Sequence, residues 1–219
     1  MSKIFTRCSK EIIMAVKEGG PNPESNYRLK LAIQNARAAN MPKDNVERAI
    51  KKATSKEQAD YKTLIYEGYA AHGVAVLIET ATDNPTRTVA NVRSYFNKYN
   101  GSLGVSGSVE FMFEHKCHFK VPVGNLVLED FELEMIDFGV EEIFKLDDED
   151  FFMIYAPFGE FGNVSRGLDE LGVEITESGS EYIPTTTKSI DEAQQVEVDK
   201  LLEKLEEDDD VLNVYHTMV

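Results

Sequence analysis

The only close group of soft metal ligands in the chain is His115-x-Cys117-His118, which follows Glu114. On a strand, His115 and Cys117 would point to one face, and Glu114 and His118 to the other. These side chains therefore cannot form a tetrahedral zinc site without a bulge. We expect neither a metal ion nor a cofactor.

Other polar and glycine-rich motifs do not have the spacing that catalysis or ligand binding requires. The glycines at 101, 104 and 107 lack the Lys-Ser/Thr pair of a phosphate-binding loop, and they predict a mobile turn. The acidic runs 147–150 and 206–210 lack calcium-loop spacing and predict solvated turns. Because no catalytic motif is present, we expect a non-enzymatic protein.

The charge is distributed unevenly along the chain. The formal net charge is −16, yet residues 1–56 carry 12 Lys and Arg against 5 Asp and Glu. Residues 117–185 carry 3 Lys and Arg against 17 Asp and Glu. A local basic field attracts phosphate even when the whole molecule repels it. The asymmetry indicates a part that faces nucleic acid, DNA or ribosomal RNA, although charged helical faces are also commonly just solvated.

The predicted nucleic-acid contacts are cations on the first helices, joined by two arginines further along the chain. Lysine and arginine on phosphate give salt-dependent and largely sequence-independent affinity. The candidates are Lys3, Arg7, Lys10, Lys17, Lys30, Arg37, Lys43, Arg48, Lys51, Lys52, Arg87 and Arg93. We predict that the polar turns 68–73 and 83–88 converge on a second surface at one end of a sheet; ordinary turn and cap chemistry is the alternative.

The elements that must position these residues follow from hydrophobic periodicity. Three amphipathic helices are predicted over residues 1–18, 26–39 and about 42–53, and their exposed faces are basic. Strands at 62–69 and 74–78 surround a turn at 70–73, and a helix then runs from about 85 to 99. Further strands are predicted at 108–114, 117–123, 140–146, 151–156, 173–183, 184–190 and 211–215, with helices at 129–138, 160–171 and 191–207.

These elements predict an α+β multidomain protein. Its predicted parts are a three-helix bundle and two α/β sandwich-like domains, of which the third is inserted into the second. The β-α-β-β-α-β order of 117–183 is typical of a ferredoxin-like fold. The predicted domains are 1–58, a discontinuous 59–116 with 184–219, and an acidic 117–183.

Cysteine content and hydropathy bear on location. Cys8 and Cys117 are far apart and form no disulfide framework, which favours a reducing compartment. The N-terminus lacks the apolar core of a signal peptide, and no apolar run approaches the length of a membrane span. We expect a cytoplasmic protein with no membrane partner, and the sequence is compatible with a monomer.

Several long stretches resemble the YebC/PmpR family of probable transcriptional regulators, which includes the mitochondrial translational activator of cytochrome c oxidase subunit I. The stretches are "KIFTRCSKEI" from Lys3, "NYRLKLAIQNARAANMPKDNVERAIKKAT" from Asn26, "YEGYAAHGVAVLIETATDNPTRTVANVR" from Tyr66, "GSLGVSGSVEFMFE" from Gly101, "YIPTTT" from Tyr182 and "DDVLNVYH" from Asp209. Family members commonly begin with a further basic segment, and the chain starts directly at the Lys3 match. The family's usual Gly-Pro-Gly-Gly turn is Ala70-Ala71-His72-Gly73 here.

The resemblance implies a helical N-terminal domain, two α/β domains and no enzyme activity. It implies a probable DNA-binding transcriptional regulator. The alternative is a ribosome-associated translation factor that aids synthesis of proline-rich stretches, with the turns 68–73 and 83–88 reaching a functional centre. A third hypothesis is an interaction module whose acidic domains bind a basic protein or mimic nucleic acid.

Overall fold

A computed structural model describes residues 3–55, 60–147 and 149–219. The described residues form seven α-helices and two four-stranded antiparallel sheets, so the expected mixed α+β class is confirmed. None of the helices within those ranges is long and apolar enough to cross a membrane.

The first three helices pack against one another. They are α1 (Lys3–Gly19), α2 (Tyr27–Ala38) and α3 (Lys43–Ala53). Their apolar stripes meet in one core that includes Ile12, Leu29 and Ala49. Asn26 caps α2 by accepting a hydrogen bond from the Leu29 amide, which satisfies one of the free amides at the helix start. The helical periodicity of this segment therefore predicted its local structure correctly.

The first sheet has the strand order β3-β1-β2-β8. Its strands are β1 (Lys62–Tyr69), β2 (Ala75–Thr82), β3 (Ser102–Leu103) and β8 (Val211–His216). Helices α4 (Pro85–Lys98) and α7 (Glu192–Glu206) bury Val92, Phe96 and Leu201 in a core with Val76 and Ile78 of β2. Strand β8, from the C-terminal part of the sequence, therefore pairs with β2.

The second sheet has the strand order β5-β6-β4-β7. Its strands are β4 (Phe113–Pro122), β5 (Glu142–Lys145), β6 (Phe151–Pro157) and β7 (Glu177–Pro184). Helices α5 (Leu128–Ile136) and α6 (Phe161–Glu170) cover one face, where Phe119, Phe131, Ile154 and Val164 are buried together. Leu31 of α2 joins the same core.

Two predicted strands are wrong. Residues 110–112 form a 3-10 turn, and β4 begins only at Phe113 and continues through residue 117. The preceding amides bind the Glu67 side chain instead of a neighbouring strand. The strand predicted at 184–190 is absent from the described structure, where this segment makes only an isolated bridge from Lys188 to Met218. The domain boundaries stay a prediction.

Candidate nucleic-acid interface

The outward side of α3 carries a group of exposed cations. Val46, Ala49 and Ala53 face the core, which places Arg48, Lys51 and Lys52 towards solvent on the other side of the helix. The Arg48 guanidinium donates to Asn45 Oδ1 at 2.7 Å and therefore lies along the helix surface. Among the described residues, neither Lys51 nor Lys52 forms an ion pair. Lys43, at the start of α3, is exposed and lies 3.6 Å from Glu47.

Helix α2 places Lys30 and Arg37 on one exposed side. The two residues are seven positions apart, so they project in nearly the same direction. The Lys30 ammonium lies 5.5 Å from the centroid of the Tyr27 ring. Arg37 is exposed in the last turn of α2, and within the described ranges it has no ion-pair partner. These two cations, with Arg48, Lys51 and Lys52, define what we call the α2–α3 basic surface.

Lys10 requires a correction, because its side chain is buried and cannot reach a phosphate in this structure. The residue is only 6% exposed. Its ammonium donates to Ala81 O at 2.7 Å and to Asp209 O at 2.5 Å, and it lies 3.2 Å from Asp210 Oδ1. All three donors of the ammonium are therefore occupied. At Lys10, the polar side of α1 therefore faces the acidic turn before β8 rather than solvent.

Lys3 is also held by the acidic turn. Its ammonium donates to Asp208 O at 2.5 Å. Burial lowers the pKa of Lys3, against the opposing effect of the nearby carboxylates of Asp208 and Asp209. The acidic run 206–210, which the sequence predicted to be a solvated turn, thus accepts two lysines of α1. This intramolecular contact explains part of the positive charge near the start of an acidic chain.

Asp210 is the centre of a buried polar network. Its Oδ2 accepts from Arg87 Nη2 at 2.7 Å and from the hydroxyls of Thr88 at 2.9 Å and Thr82 at 3.2 Å, while Oδ1 faces Lys10. Burial alone would raise the pKa of Asp210, but the hydrogen bond from Arg87, with those from Thr88 and Lys10, holds it below its ordinary value. The carboxylate therefore stays ionised and joins α1 to α4 and β8.

The remaining predicted contacts are dispersed. Arg7 pairs with Glu11 at 3.3 Å, and Lys17 pairs with Asp60 at 2.8 Å. Arg87 is bound to Asp83 and Asp210 and lines an open depression with Asn91, Asp208 and Asp209. Carboxylates surround it, so this depression disfavours phosphate. Arg93 is exposed and lies on α4, not on one of the three N-terminal helices.

The two polar turns do not converge, contrary to the sequence prediction. Tyr69 pairs with Ala75 and Lys62 pairs with Thr82, so the turn at 70–74 and the turn at 83–88 lie at opposite ends of the β1–β2 hairpin. The eight residues of β2 separate them by roughly 25 Å. At the first turn His72 has a φ of 61°, and its ring lies 2.8 Å from Glu197 of α7.

A buried carboxylate organises the glycine-containing loop that the sequence predicted to be a mobile turn. Glu67 of β1 is 3% exposed. It accepts hydrogen bonds from the amides of Gly107 at 2.6 Å, and of Val109 and Glu110 at 2.8 Å. Burial would raise the pKa of Glu67, but the backbone amides lower it below its ordinary value. The loop is therefore anchored to the sheet.

His115 and Cys117 are packed among other side chains of the protein. The His115 ring is stacked between Phe158 at 4.0 Å and Tyr182 at 4.2 Å, and Cys117 is fully buried. Across the described ranges, no group of three or more His, Cys, Asp or Glu side chains is arranged to hold a metal ion.

The Asp210 and Glu67 networks were not predicted from the sequence, although the stretches that form the first of them carry the family resemblance. The segments from Lys3, from Tyr66 and from Asp209 meet at Lys10, Arg87 and Asp210. The family resemblance of these long stretches was the available signal. Pairing Lys10 with a residue 200 positions later required the fold itself.

Two family models match nearly the whole chain. One describes the TACO1/YebC protein N-terminal domain and matches residues 1–56; the other describes the TACO1/YebC second and third domain and matches residues 61–218. The chain belongs to the TACO1/YebC family. The resemblance found in the sequence is therefore confirmed.

Relatives and a solved structure extend the comparison. A probable transcriptional regulatory protein of Flavobacterium psychrophilum is 62% identical over 218 residues, which cover 100% of this chain and 92% of the relative. A probable transcriptional regulatory protein of Porphyromonas gingivalis is 52% identical over 219 residues, which cover 100% of this chain and 90% of the relative. A conserved hypothetical protein from Aquifex aeolicus has a crystal structure with a TM-score of 0.79 and 41% identity, covering 99% of this chain and 89% of that one. This TACO1/YebC chain is thus related along its length to proteins named as regulators.

Proposed function

We propose that this TACO1/YebC protein is a regulator that binds DNA through the α2–α3 basic surface. The observation that carries the proposal is the difference among the cations of the N-terminal helices. Lys3 and Lys10 are bound by the acidic turn, whereas Arg37, Lys51 and Lys52 are exposed and, among the described residues, have no carboxylate partner. An exposed cation without a partner can neutralise a phosphate without first breaking an ion pair.

The chemistry of this surface supports phosphate contacts rather than base recognition. Lysine and arginine displace condensed counterions from a nucleic-acid backbone, and the entropy of the released ions drives binding. Such contacts position a protein on a duplex but carry little sequence information. The regulatory names of the relatives favour DNA as the ligand. Sequence preference would then come from DNA shape or from a partner protein.

The test is a salt series on a charge-reversed variant. Lys51→Glu with Lys52→Glu should weaken binding to duplex DNA of every sequence and reduce the log–log salt slope by about two units, one for each lost contact. Lys98→Glu with Lys200→Glu is the matched control, because these exposed lysines lie on α4 and α7 and the change in charge is the same. Affinity should be measured by fluorescence anisotropy from about 50 to 200 mM salt.

The same series is run with ribosomes to separate the two nucleic-acid ligands. DNA binding that survives competitor duplex, and that only the α3 variant loses, supports the proposal. The opposite outcome is ribosome binding that the α3 variant loses, together with weak and salt-labile DNA binding. It would mean that the α2–α3 basic surface binds ribosomal RNA, and it would overturn the DNA proposal. Equal losses in the α3 variant and the control would remove the α2–α3 basic surface from the interface altogether.

A further inference from the structure

Strand β6 is apolar on both sides, although α5 and α6, the described helices that cover its core, pack on one face of the sheet. Its sequence is Phe-Phe-Met-Ile-Tyr-Ala-Pro. Phe152, Ile154 and Ala156 are buried beneath α5 and α6, as expected. Phe151 and Tyr155, which point to the other side, are also large and aromatic. Runs that are apolar on both faces are typical of strands covered on both faces.

The outward side chains of β6 continue onto the neighbouring strands. In the register of the sheet, Tyr155 stands opposite Glu142 of β5 and His118 of β4, and Met153 stands opposite Phe144 and Lys120. The Phe144 and Tyr155 rings are nearly parallel, with centroids 6.0 Å apart. We call the surface made by Phe144, Phe151, Met153 and Tyr155 the open face.

The open face is not part of any core of the described chain. Its four apolar residues belong to none of the hydrophobic clusters formed by the described residues. Phe144 remains 37% exposed. Glu142 and Glu177, which flank the four residues across the sheet, are exposed. The surface therefore has aromatic side chains at its centre, which we call its floor, and the carboxylates of Glu142 and Glu177 at its edges, which we call its rim.

Lysine and histidine side chains of the protein show which chemistry this floor accepts. The Lys120 ammonium lies 4.7 Å from the centroid of the Phe151 ring and pairs with Glu149. The Glu181 carboxylate accepts from the Tyr155 hydroxyl at 2.7 Å and faces His118 at 3.4 Å. Lys120 is thus a cation that lies over an aromatic ring, Phe151, and beside a carboxylate, Glu149. A partner's arginine would find the same surroundings at Phe144 and Tyr155.

The charge of this part of the molecule decides the kind of partner. Residues 117–185 carry 17 Asp and Glu against 3 Lys and Arg, and Lys120 at the open face is already paired with Glu149, so the local field disfavours a phosphate backbone. We propose that the open face docks an arginine-rich segment of a partner protein, whose guanidinium groups stack on Phe144 and Tyr155 and pair with Glu142 and Glu177. This is a protein-binding surface separate from the α2–α3 basic surface.

The proposal is tested with labelled oligo-arginine and oligo-lysine peptides of equal length, by fluorescence anisotropy on the full chain. Glu142→Gln with Glu177→Gln should weaken oligo-arginine binding by about fivefold or more, because two rim charges are lost. The matched control is Glu129→Gln with Glu134→Gln on α5, which removes two exposed acids on the helix side of the sheet. The control should change binding by less than about twofold.

A second variant tests the aromatic contribution. Arginine stacks on aromatic rings better than lysine does, so wild type should bind oligo-arginine more tightly than oligo-lysine. Phe144→Ala should remove that preference, and circular dichroism checks that this exposed position leaves the fold intact. Equal weakening by the rim and control pairs would mean that overall acidity alone binds the peptide. Tighter binding of labelled oligouridine than of either peptide, lost in Phe144→Ala, would make the open face an RNA site; either result overturns the proposal.

Discussion

Glu67 is a buried carboxylate whose stability depends on the amides that surround it. An ionised carboxylate loses its hydration on burial, and at Glu67 the amides of Gly107, Val109 and Glu110 replace that hydration. The result is a pKa below the ordinary value despite burial. The group therefore contributes stability above its ordinary pKa of 4.5, and the contribution is lost as the pH falls through the lowered pKa of the folded state.

We expect Glu67→Gln to lower the free energy of unfolding by about 2 to 3 kcal/mol at pH 7, because a side-chain NH₂ then faces backbone donors. The difference from wild type should narrow as the pH falls below 4.5 and through the lowered pKa of folded wild-type Glu67. Urea unfolding at pH 7, 5, 4 and 3 measures both effects. Glu110→Gln, at an exposed position of the same loop, should follow wild type throughout. A difference that stays constant with pH would contradict the role of the ionised carboxylate.

At the residue scale, the sequence predicted which side of α1 is polar but not what covers it. The spacing of Lys3, Arg7, Lys10 and Lys17 correctly separates them from the apolar stripe. A polar helical side can face either solvent or a complementary acidic turn, and periodicity does not distinguish the two. Lys10 is buried for that reason, whereas Lys51 on α3 meets no such turn among the described residues.

At the element scale, Gly68 allows β1, β3 and α4 to approach one another closely. A Cβ built at Gly68 would lie 2.6 Å from Ser102 O and 2.8 Å from Cε1 of Phe96. Neither the backbone of β3 nor the buried Phe96 ring can move away easily. The close approach holds α4 against the hairpin, and α4 in turn supplies Arg87 and Thr88 to Asp210.

We therefore expect Gly68→Ala to destabilise the protein by about 1 to 3 kcal/mol, the usual range for overpacking a core. Gly159→Ala is the control, since a Cβ there meets no atom within 4 Å. Thermal unfolding by circular dichroism measures both variants. A Gly68→Ala protein as stable as Gly159→Ala would show that β3 and α4 are free to shift.

Element types followed from the sequence more directly than element ends. Val46, Ala49 and Ala53 predict α3 because a helix needs only local repetition. The strand predicted at 108–114 failed because a local pattern does not show that the amides of Val109 and Glu110 are bound by Glu67, more than 40 residues earlier. The predicted convergence of two turns failed because β2 holds them at its opposite ends.

At the scale of the whole molecule, the helical N-terminal segment is held to each sheet by a different contact. Lys10 and Asp210 join α1 to the first sheet. Asn35 of α2 donates to Ser178 O at 2.6 Å and accepts from Ser178 N at 2.9 Å, which joins α2 to β7 of the second sheet. The α2–α3 basic surface is therefore fixed relative to both sheets.

We expect Asp210→Asn to lower the free energy of unfolding by about 3 to 5 kcal/mol, because Lys10 keeps its charge without a carboxylate partner. Asn35→Ala should lower it by about 1 to 3 kcal/mol. With both contacts removed, calorimetry should resolve a separate transition for the helices. Asp209→Asn is the control, since this exposed residue offers Lys10 only its backbone oxygen. A single cooperative transition in the double variant would mean that apolar contacts alone couple the helices to the sheets.

The position of Asp210 in the chain has a consequence for biosynthesis. A nascent chain emerges from its N-terminus, so α1 can fold against α2 and α3 long before residue 210 has been made. Until then Lys10 has no carboxylate from the last turn, and β2 has no β8 beside it. Synthesis of Asp210 and β8 therefore completes both the first sheet and the attachment of the helices. Translation that stops shortly before residue 210 would release a chain whose N-terminal helices are formed but not yet joined to the first sheet through Lys10 and Asp210.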